Sequence, residues 1–289
     1  MKVNVLYCLC LLVISGCLNA QSSFENYFTN STMRVDLILA GNTHSQAAYL
    51  KEIKKEPIWG GSNVNMIDTL GYGEYFYEIR DAASDQLIYS RGFCTLFEEW
   101  RTTEEAKYIN KAFEQTITFP YPQQKINLKL SERHKDGSYS SLMELTIDPE
   151  DSNIRNVKTP EYEVVEIINN GSSASHVDFT FVAEGYLSSE MDKFKSDVEE
   201  MAAYILTQEP YKSNRDKINF WAVCSPSSGT GTSNPRKDNW QNTAVGSSFN
   251  TFYIDRYLET GSVFAIRDIA ACAPYDHICV LVNSKKYGG

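Results

Sequence analysis

The hydrophobic period of this chain changes once, near residue 150, and that change limits the folds open to it. From Phe24 to about Asp148 apolar and polar residues mostly alternate. Val35, Leu37 and Leu39 alternate with Asp36 and Ile38, and Tyr75, Tyr77 and Ile79 with Phe76, Glu78 and Arg80. Ile126, Leu128 and Leu130, and then Met143, Leu145 and Ile147, repeat the pattern. Successive side chains of a strand point to opposite faces, so a period of two predicts half-buried strands of an antiparallel sheet. Gly41-Asn42, Gly60-Gly61, Gly71-Tyr72-Gly73 and Asp136-Gly137 supply turns. One helix is expected over residues 103–113, with Glu104 and Glu105 in its first turn, where the helix dipole favours carboxylates. Residues 24–148 therefore read as an antiparallel β-sandwich of about 120 residues.

Residues 149–160 are polar, begin and end in proline and lack periodicity, so they read as a linker. From 161 the pattern differs. VDFTFVA (177–183) is a short apolar run. A helix starting near Ser188 or Ser189 carries Met191, Phe194, Val198, Met201, Ala202 and Ile205 on one face. Pro210 bars its continuation. INFWAVC (218–224) is a second strand, and a long Ser/Gly/Thr/Asn loop is expected from 225 to about 248, flexible at Gly229-Thr230-Gly231. Thr260 or Ser262 caps another helix bearing Val263, Ile266, Ile269 and Ala270, which Pro274 ends. HICVLV (277–282) is a third strand. Strands alternating with helices make an α/β layer. The expected class is thus α+β multidomain, an N-terminal sandwich followed by an α/β subdomain over 161–289. That subdomain is expected to be incomplete, a truncated record, because nothing in 283–289 covers or continues the last strand.

The N-terminus reads as an export signal. Lys2 precedes a run, residues 3–14, broken only by Asn4 and Tyr7. It is shorter than the roughly 20 apolar residues that span a bilayer. Leu18-Asn19-Ala20 before Gln21 gives a signal peptide of residues 1–20. Ile14-Ser15-Gly16-Cys17 is an alternative lipobox, in which a lipidated Cys17 would tether the chain to a membrane. Either way the protein is expected to be exported: periplasmic, an outer-membrane lipoprotein or secreted. Roughly 270 residues remain, enough for two domains with cores. The net charge is −10 with no Lys/Arg block. A nucleic-acid partner is disfavoured, since phosphate binding wants a basic face. Beyond the leader stand Cys94, Cys224, Cys272 and Cys279. Export would permit disulfides, but no C-x-x-C occurs, and their apolar neighbours favour small buried hydrophobes.

Chemistry is hard to find. The four histidines, His44, His134, His176 and His277, are far apart in sequence, and no H-E-x-x-H occurs. G-x-S-x-G is missing. Gly229-Thr230-Gly231 lacks the Lys-Ser/Thr of a phosphate loop. Glu184 directly follows a strand end, where α/β proteins place functional groups; a turn or helix-start carboxylate is the competing reading. Asn30-Ser31-Thr32 and Asn170-Gly171-Ser172 fit the glycosylation sequon and carry little weight here. No catalytic or metal residue is assigned.

Whole segments nevertheless resemble a known family. RVDLILAGN (34–42), PIWGG (57–61), RDAASDQLIYSRGFCTLFEEW (80–100) and TTEEA (102–106) resemble the N-terminal domain of the IgA-peptidase family of bacterial zinc metallopeptidases. FVAEGYLSSEMDKF (181–194), EPYKSNRDKINFWAV (209–223), SSFNTFYIDRYL (247–258), AIRDIAACAPYDHICVLVN (265–283) and KKYGG (285–289) resemble the start of its catalytic domain. The resemblance implies a zincin-like subdomain behind an accessory sandwich, and a protein or peptide substrate, of which a host glycoprotein is one candidate. It implies zinc as cofactor, held by an H-E-x-x-H helix and activating a water. The motif lies downstream of the segment matching KKYGG, so no zinc ligand can be placed on these residues and the chain alone is expected to be inactive. Gly288 and Gly289 would form part of a cleft wall. A different class stays open: a non-catalytic surface protein whose Tyr-rich sandwich contacts glycan or protein.

Overall fold

The computed structural model describes residues 24–158 and 162–288. The signal segment, Cys17 and Gly289 lie outside the described residues. The N-terminal region starts with a single turn, α1 (Phe24–Tyr27), followed by β1 (Phe28–Gly41), β2 (Gln46–Glu56), β3 (Tyr75–Asp81) and β4 (Leu87–Phe93). Then come α2 (Leu96–Arg101), β5 (Lys111–Pro122), β6 (Ile126–Arg133), β7 (Tyr139–Ile147) and the two-residue β8 (Arg155–Asn156). They form two four-stranded sheets, ordered β5-β1-β2-β8 and β4-β3-β6-β7. Only β2–β8 is parallel; the other pairs are antiparallel. The sheets enclose one core, with Met33, Val35, Leu37 and Leu39 from β1 against Tyr77 and Ile79 of β3 and Leu128 and Leu130 of β6. This is the sandwich that the period of two predicts.

Three local expectations change. The helix falls at Leu96–Arg101, with only a 3-10 turn at Glu105–Lys107, and β5 already begins at Lys111. Thr95 caps it, accepting from the Glu98 N–H at 3.0 Å. Thr102 and Thr103 close it, their hydroxyls donating to the Glu99 and Trp100 carbonyls at 2.7 Å. Glu104 and Glu105, expected in the helix's first turn, instead lead only the short 3-10 turn that follows it. The linker is also partly fastened: Arg155–Asn156 pairs with Lys54–Lys55, and the Val157 N–H donates to Lys55. The third change concerns β1, whose charged face is as buried as its apolar one: Arg34 and Asp36 are fully enclosed, and Lys54 and Glu56 of β2 with them.

The cover on that face is the second region. It comprises β9 (Glu163–Ile168), β10 (Val177–Glu184), α3 (Met191–Ile205), β11 (Ile218–Cys224), α4 (Val263–Ala270) and β12 (His277–Val282). The sheet order is β12-β10-β11-β9, with β10 parallel to both β11 and β12, and β9 an antiparallel edge. β10 and β11 are buried on both faces, as unbroken apolar runs require. α3 covers one face through Phe194, Val198 and Ala202. α4 covers the other through Ile269 and Ala270. The strand β9 escaped notice in EVVEII because its burial is partial and does not alternate. No helix among the described residues is long and apolar enough to cross a membrane.

α4 is shared between this sheet and the sandwich. Glu114 of β5 accepts from the Phe264 N–H at 2.9 Å. Arg34 reaches across from β1, and all five of its N–H groups find acceptors: Asp36 twice (2.7 and 2.8 Å), Glu56 (3.3 Å), Asp268 (2.7 Å) and the Phe264 carbonyl (3.1 Å). Lys54 lies 3.1 Å from Asp36, Glu52 and Asp268. The Tyr275 hydroxyl donates to the remaining oxygen of Glu56 at 2.7 Å. Burial alone would lower the pKa of Arg34, but its bond to Asp36 and the charges of Asp36, Glu56 and Asp268 outweigh that and hold it protonated. The order of layers is therefore sheet, sheet, α4, sheet, α3, with an ion cluster at the joint.

Candidate functional site

A groove of about 1040 Å³ runs between the sandwich and the carboxyl end of β12. Its sandwich side comes from β1, β5 and the start of α2, including Ile38, Phe97 and Glu114. Its other side comes from the start of α4, residues 246–261 in part, and β12 with Ser284, Lys286 and Gly288. β12 is paired only with β10, so among the described residues its outer edge carries no strand. Gly288 lines the groove; a Cβ there would lie 2.6 Å from the Leu258 Cβ, so the close approach requires glycine. Cys94 lies at the groove and is exposed, against the buried role its apolar neighbours predict. Cys224 is buried as expected, and the four cysteines form no disulfide with one another.

The wall at 249–258 is held in an uncommon backbone. Asn250, Phe252 and Tyr253 all have positive φ (74°, 51° and 64°), costly for aromatic residues. Arg236 steadies it, donating at 2.6 Å to Asn250 Oδ1 and to the Tyr253 carbonyl. The Tyr257 hydroxyl donates to Glu99 Oε2 at 2.6 Å, which ties this segment to α2 of the sandwich. Burial, then the charge of Glu99, push the carboxyl of Glu259 above the ordinary carboxylate range. Sequence reading finds neither Glu99, Tyr257 nor Glu259, because their partnership spans some 160 positions and leaves no local pattern.

Glu184 is neither a turn carboxylate nor a helix-start one. It ends β10 fully buried and accepts from the Thr243 hydroxyl (2.5 Å) and the N–H groups of Val245 (2.9 Å) and Ser247 (2.8 Å). Glu190 fills the helix-start role, accepting from the Leu187 N–H at 2.8 Å. Burial of Ser225, Thr232, Ser233 and Ser247 shows that the loop over 225–248 is packed, not loose. Gly229-Thr230-Gly231 is packed too: the Gly231 N–H donates to the Gly185 carbonyl at 2.8 Å. Gly185 has φ 71°, and a Cβ there would lie 1.9 Å from the Gly231 oxygen. The carboxyl end of β10 is thus filled by ordered backbone and hydroxyls.

The residues present do not fit a zinc ion. His44 and His134 sit in β-turns and His176 just before β10. His277 begins β12, about 17 Å from its carboxyl end at strand spacing, and its ring packs on Phe179 with centroids 5.0 Å apart. Burial lowers the pKa of His277, favouring the neutral ring. Among the described residues no group of three or more His, Cys, Asp or Glu could hold a metal.

A sandwich fused through α4 to a parallel sheet, with a long groove at an unpaired strand edge, is a scaffold suited to an extended chain. Two family models cover it: the one described as Peptidase M64 N-terminus matches residues 23–144, and IgA Peptidase M64 matches residues 165–289. The chain belongs to the IgA peptidase M64 family. A comparison with curated proteins gives no match.

Proposed function

We propose that these residues are the N-terminal portion of an exported zinc metallopeptidase, with the groove as its substrate cleft. Residues 24–148 are the accessory domain, 149–160 the linker and 161–289 the first part of the catalytic domain. The observation that carries the reading is the groove itself, contributed by both matched regions and bordered by the unpaired edge of β12. An unpaired strand edge offers backbone donors and acceptors to an extended peptide. The zinc-binding helix belongs to residues outside this sequence, and bound zinc would supply an activated water. The leader sends the protein to the periplasm, the outer membrane through a lipidated Cys17, or the medium. The rival reading, a binding surface of sandwich tyrosines, is left with Tyr49, Tyr72, Tyr108 and Tyr139, which are exposed, because Tyr75, Tyr77, Tyr89 and Tyr121 are core residues.

The test is chelator-sensitive hydrolysis of an unfolded protein such as casein. The product of a reading frame that continues past codon 289 into H-E-x-x-H should cleave it, and the 289-residue chain alone should not. A stop codon directly after Gly289 in a verified assembly would sink the proposal.

A further inference from the structure

A second pocket, of about 650 Å³, lies at the joint of the two regions. It opens between β4 and β5, edge strands of the two sandwich sheets, and the turn that joins α4 to β12. It meets the groove at Cys94 and Gln115, yet its chemistry differs. Each region lines it with an arginine, Arg91 from β4 and Arg267 from α4. Trp59, Tyr89, Phe93 and Tyr275 line it beside them.

The two guanidinium groups converge, and both arginines are only half-buried. The Arg91 guanidinium lies over the Tyr89 ring, 4.6 Å from its centre. It donates to the carbonyls of Met66 (3.0 Å), Ser90 (2.7 Å) and Asn65, which leaves two of its five N–H groups. The Arg267 guanidinium lies over the Tyr275 ring at 5.2 Å. Burial raises the pKa of the Tyr77 hydroxyl, and the charges of Arg91 and Arg267 both pull against it, so the two cations reach one atom of this lining. Arg34, Arg101 and Arg236 have carboxylate partners. Among the described residues Arg91 and Arg267 are in no salt bridge. Carbonyls and water accept from a guanidinium but supply no countercharge, and arginine does not shed its proton.

Three carboxyl groups act on this pair without matching it. Glu56, near Arg267, is spent on Arg34 and Tyr275. Asp68, near Arg91, is partly buried, but bonds from the N–H groups of Leu70, Gly92 and Gly71 outweigh that and hold it ionised. Asp276 is exposed as a residue and accepts from the Asp178 N–H at 2.8 Å. Protein packed around its carboxyl, and the charge of Asp178, push it up to about 7, so near neutral pH it is partly ionised. The surplus is at most a single positive charge. That suits a monoanion, whereas a phosphate dianion would leave excess negative charge in a half-buried site. A guanidinium fork matches a carboxylate with two parallel N–H···O bonds. An entering carboxylate also favours the protonated form of Asp276, which can then donate. The aromatic residues offer surface for an apolar body, and the volume falls within the roughly 300–1,000 Å³ of small-molecule sites. We propose that this pocket binds a small organic monocarboxylate, its anion held by Arg267 and Arg91 and its apolar body by Trp59, Tyr89 and Phe93. The proposal stands whether or not the groove cleaves peptides.

The experiment is saturation-transfer NMR on the full chain at pH 7.5 and constant ionic strength. Benzoate is the probe, benzamide its uncharged match, and inorganic phosphate at equal concentration the competitor. Benzoate should bind roughly tenfold or more tighter than benzamide, and phosphate should not displace it. Arg267→Gln should weaken benzoate binding roughly fivefold or more, with an unchanged circular dichroism spectrum. Asp276→Asn, which removes the opposing charge, should tighten it roughly twofold or more. Asparagine can still accept from the Asp178 N–H, so Asp276→Asn decides the matter if Arg267→Gln fails to fold. Absent benzoate binding, equal binding of benzamide, displacement by phosphate, undiminished binding by Arg267→Gln or no tightening by Asp276→Asn would each overturn the proposal.

Discussion

Replacing Arg34 by methionine isolates what holds the sandwich to the α/β region. The side chain is fully buried and ties Asp36, Glu56, Asp268 and the Phe264 carbonyl together. Methionine roughly matches its length but leaves the enclosed Glu56 and the Phe264 carbonyl without their cation, and Asp36 with Lys54 alone. Removing one partner of a buried ion pair costs about 3–5 kcal/mol, because the charge left behind is neither solvated nor paired. In a chain of this size that corresponds to a fall in melting temperature of about 6–20 °C. Lys54→Met should cost less, since Asp268 is 43 % exposed and Asp36 keeps Arg34. Arg80→Met, which breaks the partly exposed pair with Glu78, serves as the surface control and should cost about 1 kcal/mol or less. Urea and thermal unfolding followed by circular dichroism would rank the three. If Arg34→Met costs no more than Arg80→Met, the ion cluster does not join the two regions.

Glu184→Ala strands two N–H groups and a hydroxyl inside the fold, at about 1–3 kcal/mol for each unsatisfied group; hydrogen exchange at Val245 and Ser247 should speed up ahead of the strand amides. Gly185→Ala meets both a left-handed backbone and the Gly231 oxygen, so it should destabilise more than the roughly 1 kcal/mol of the strain alone, read as a lowered urea midpoint. The pH profile follows from Glu56, whose pKa burial raises against the pull of Tyr275 and Arg34. The folded chain then holds the extra proton between the ordinary carboxylate range and the raised value, so stability falls as pH rises through that window. Glu56→Gln should flatten that part of the profile, and an unchanged slope in pH-dependent urea titrations would refute the assignment.

The sequence carries the sheet content because alternation is a local property, and β1, β3 and β6 obey it. It also shows β10 and β11 as unbroken apolar runs. What it hides is anything settled at long range. Arg34, Asp36, Lys54 and Glu56 look like the solvent face of a strand pair, and only a helix more than 200 positions away turns that face into an interior. Glu104 and Glu105 read as the first turn of a helix, but they follow one that ends at Arg101. The packed loop over 225–248 looks loose because serine and threonine satisfy backbone without any periodic signature. The sandwich side of the groove leaves no local pattern either, because β1, β5 and α2 come together there only in the fold.

Substrate peptide is expected to lie in the groove between the sandwich and β12. Cys94, exposed at that groove, reports on it directly. Its alkylation rate by iodoacetamide, resolved by mass spectrometry, would be measured with and without saturating casein peptides. The protein would be the longer, H-E-x-x-H-containing product, treated with chelator so that the peptides are not consumed. Peptide in the groove should slow modification of Cys94 several-fold, while the circular dichroism stays constant. A rate unaltered by any concentration of peptide would contradict the assignment of the groove as the substrate cleft.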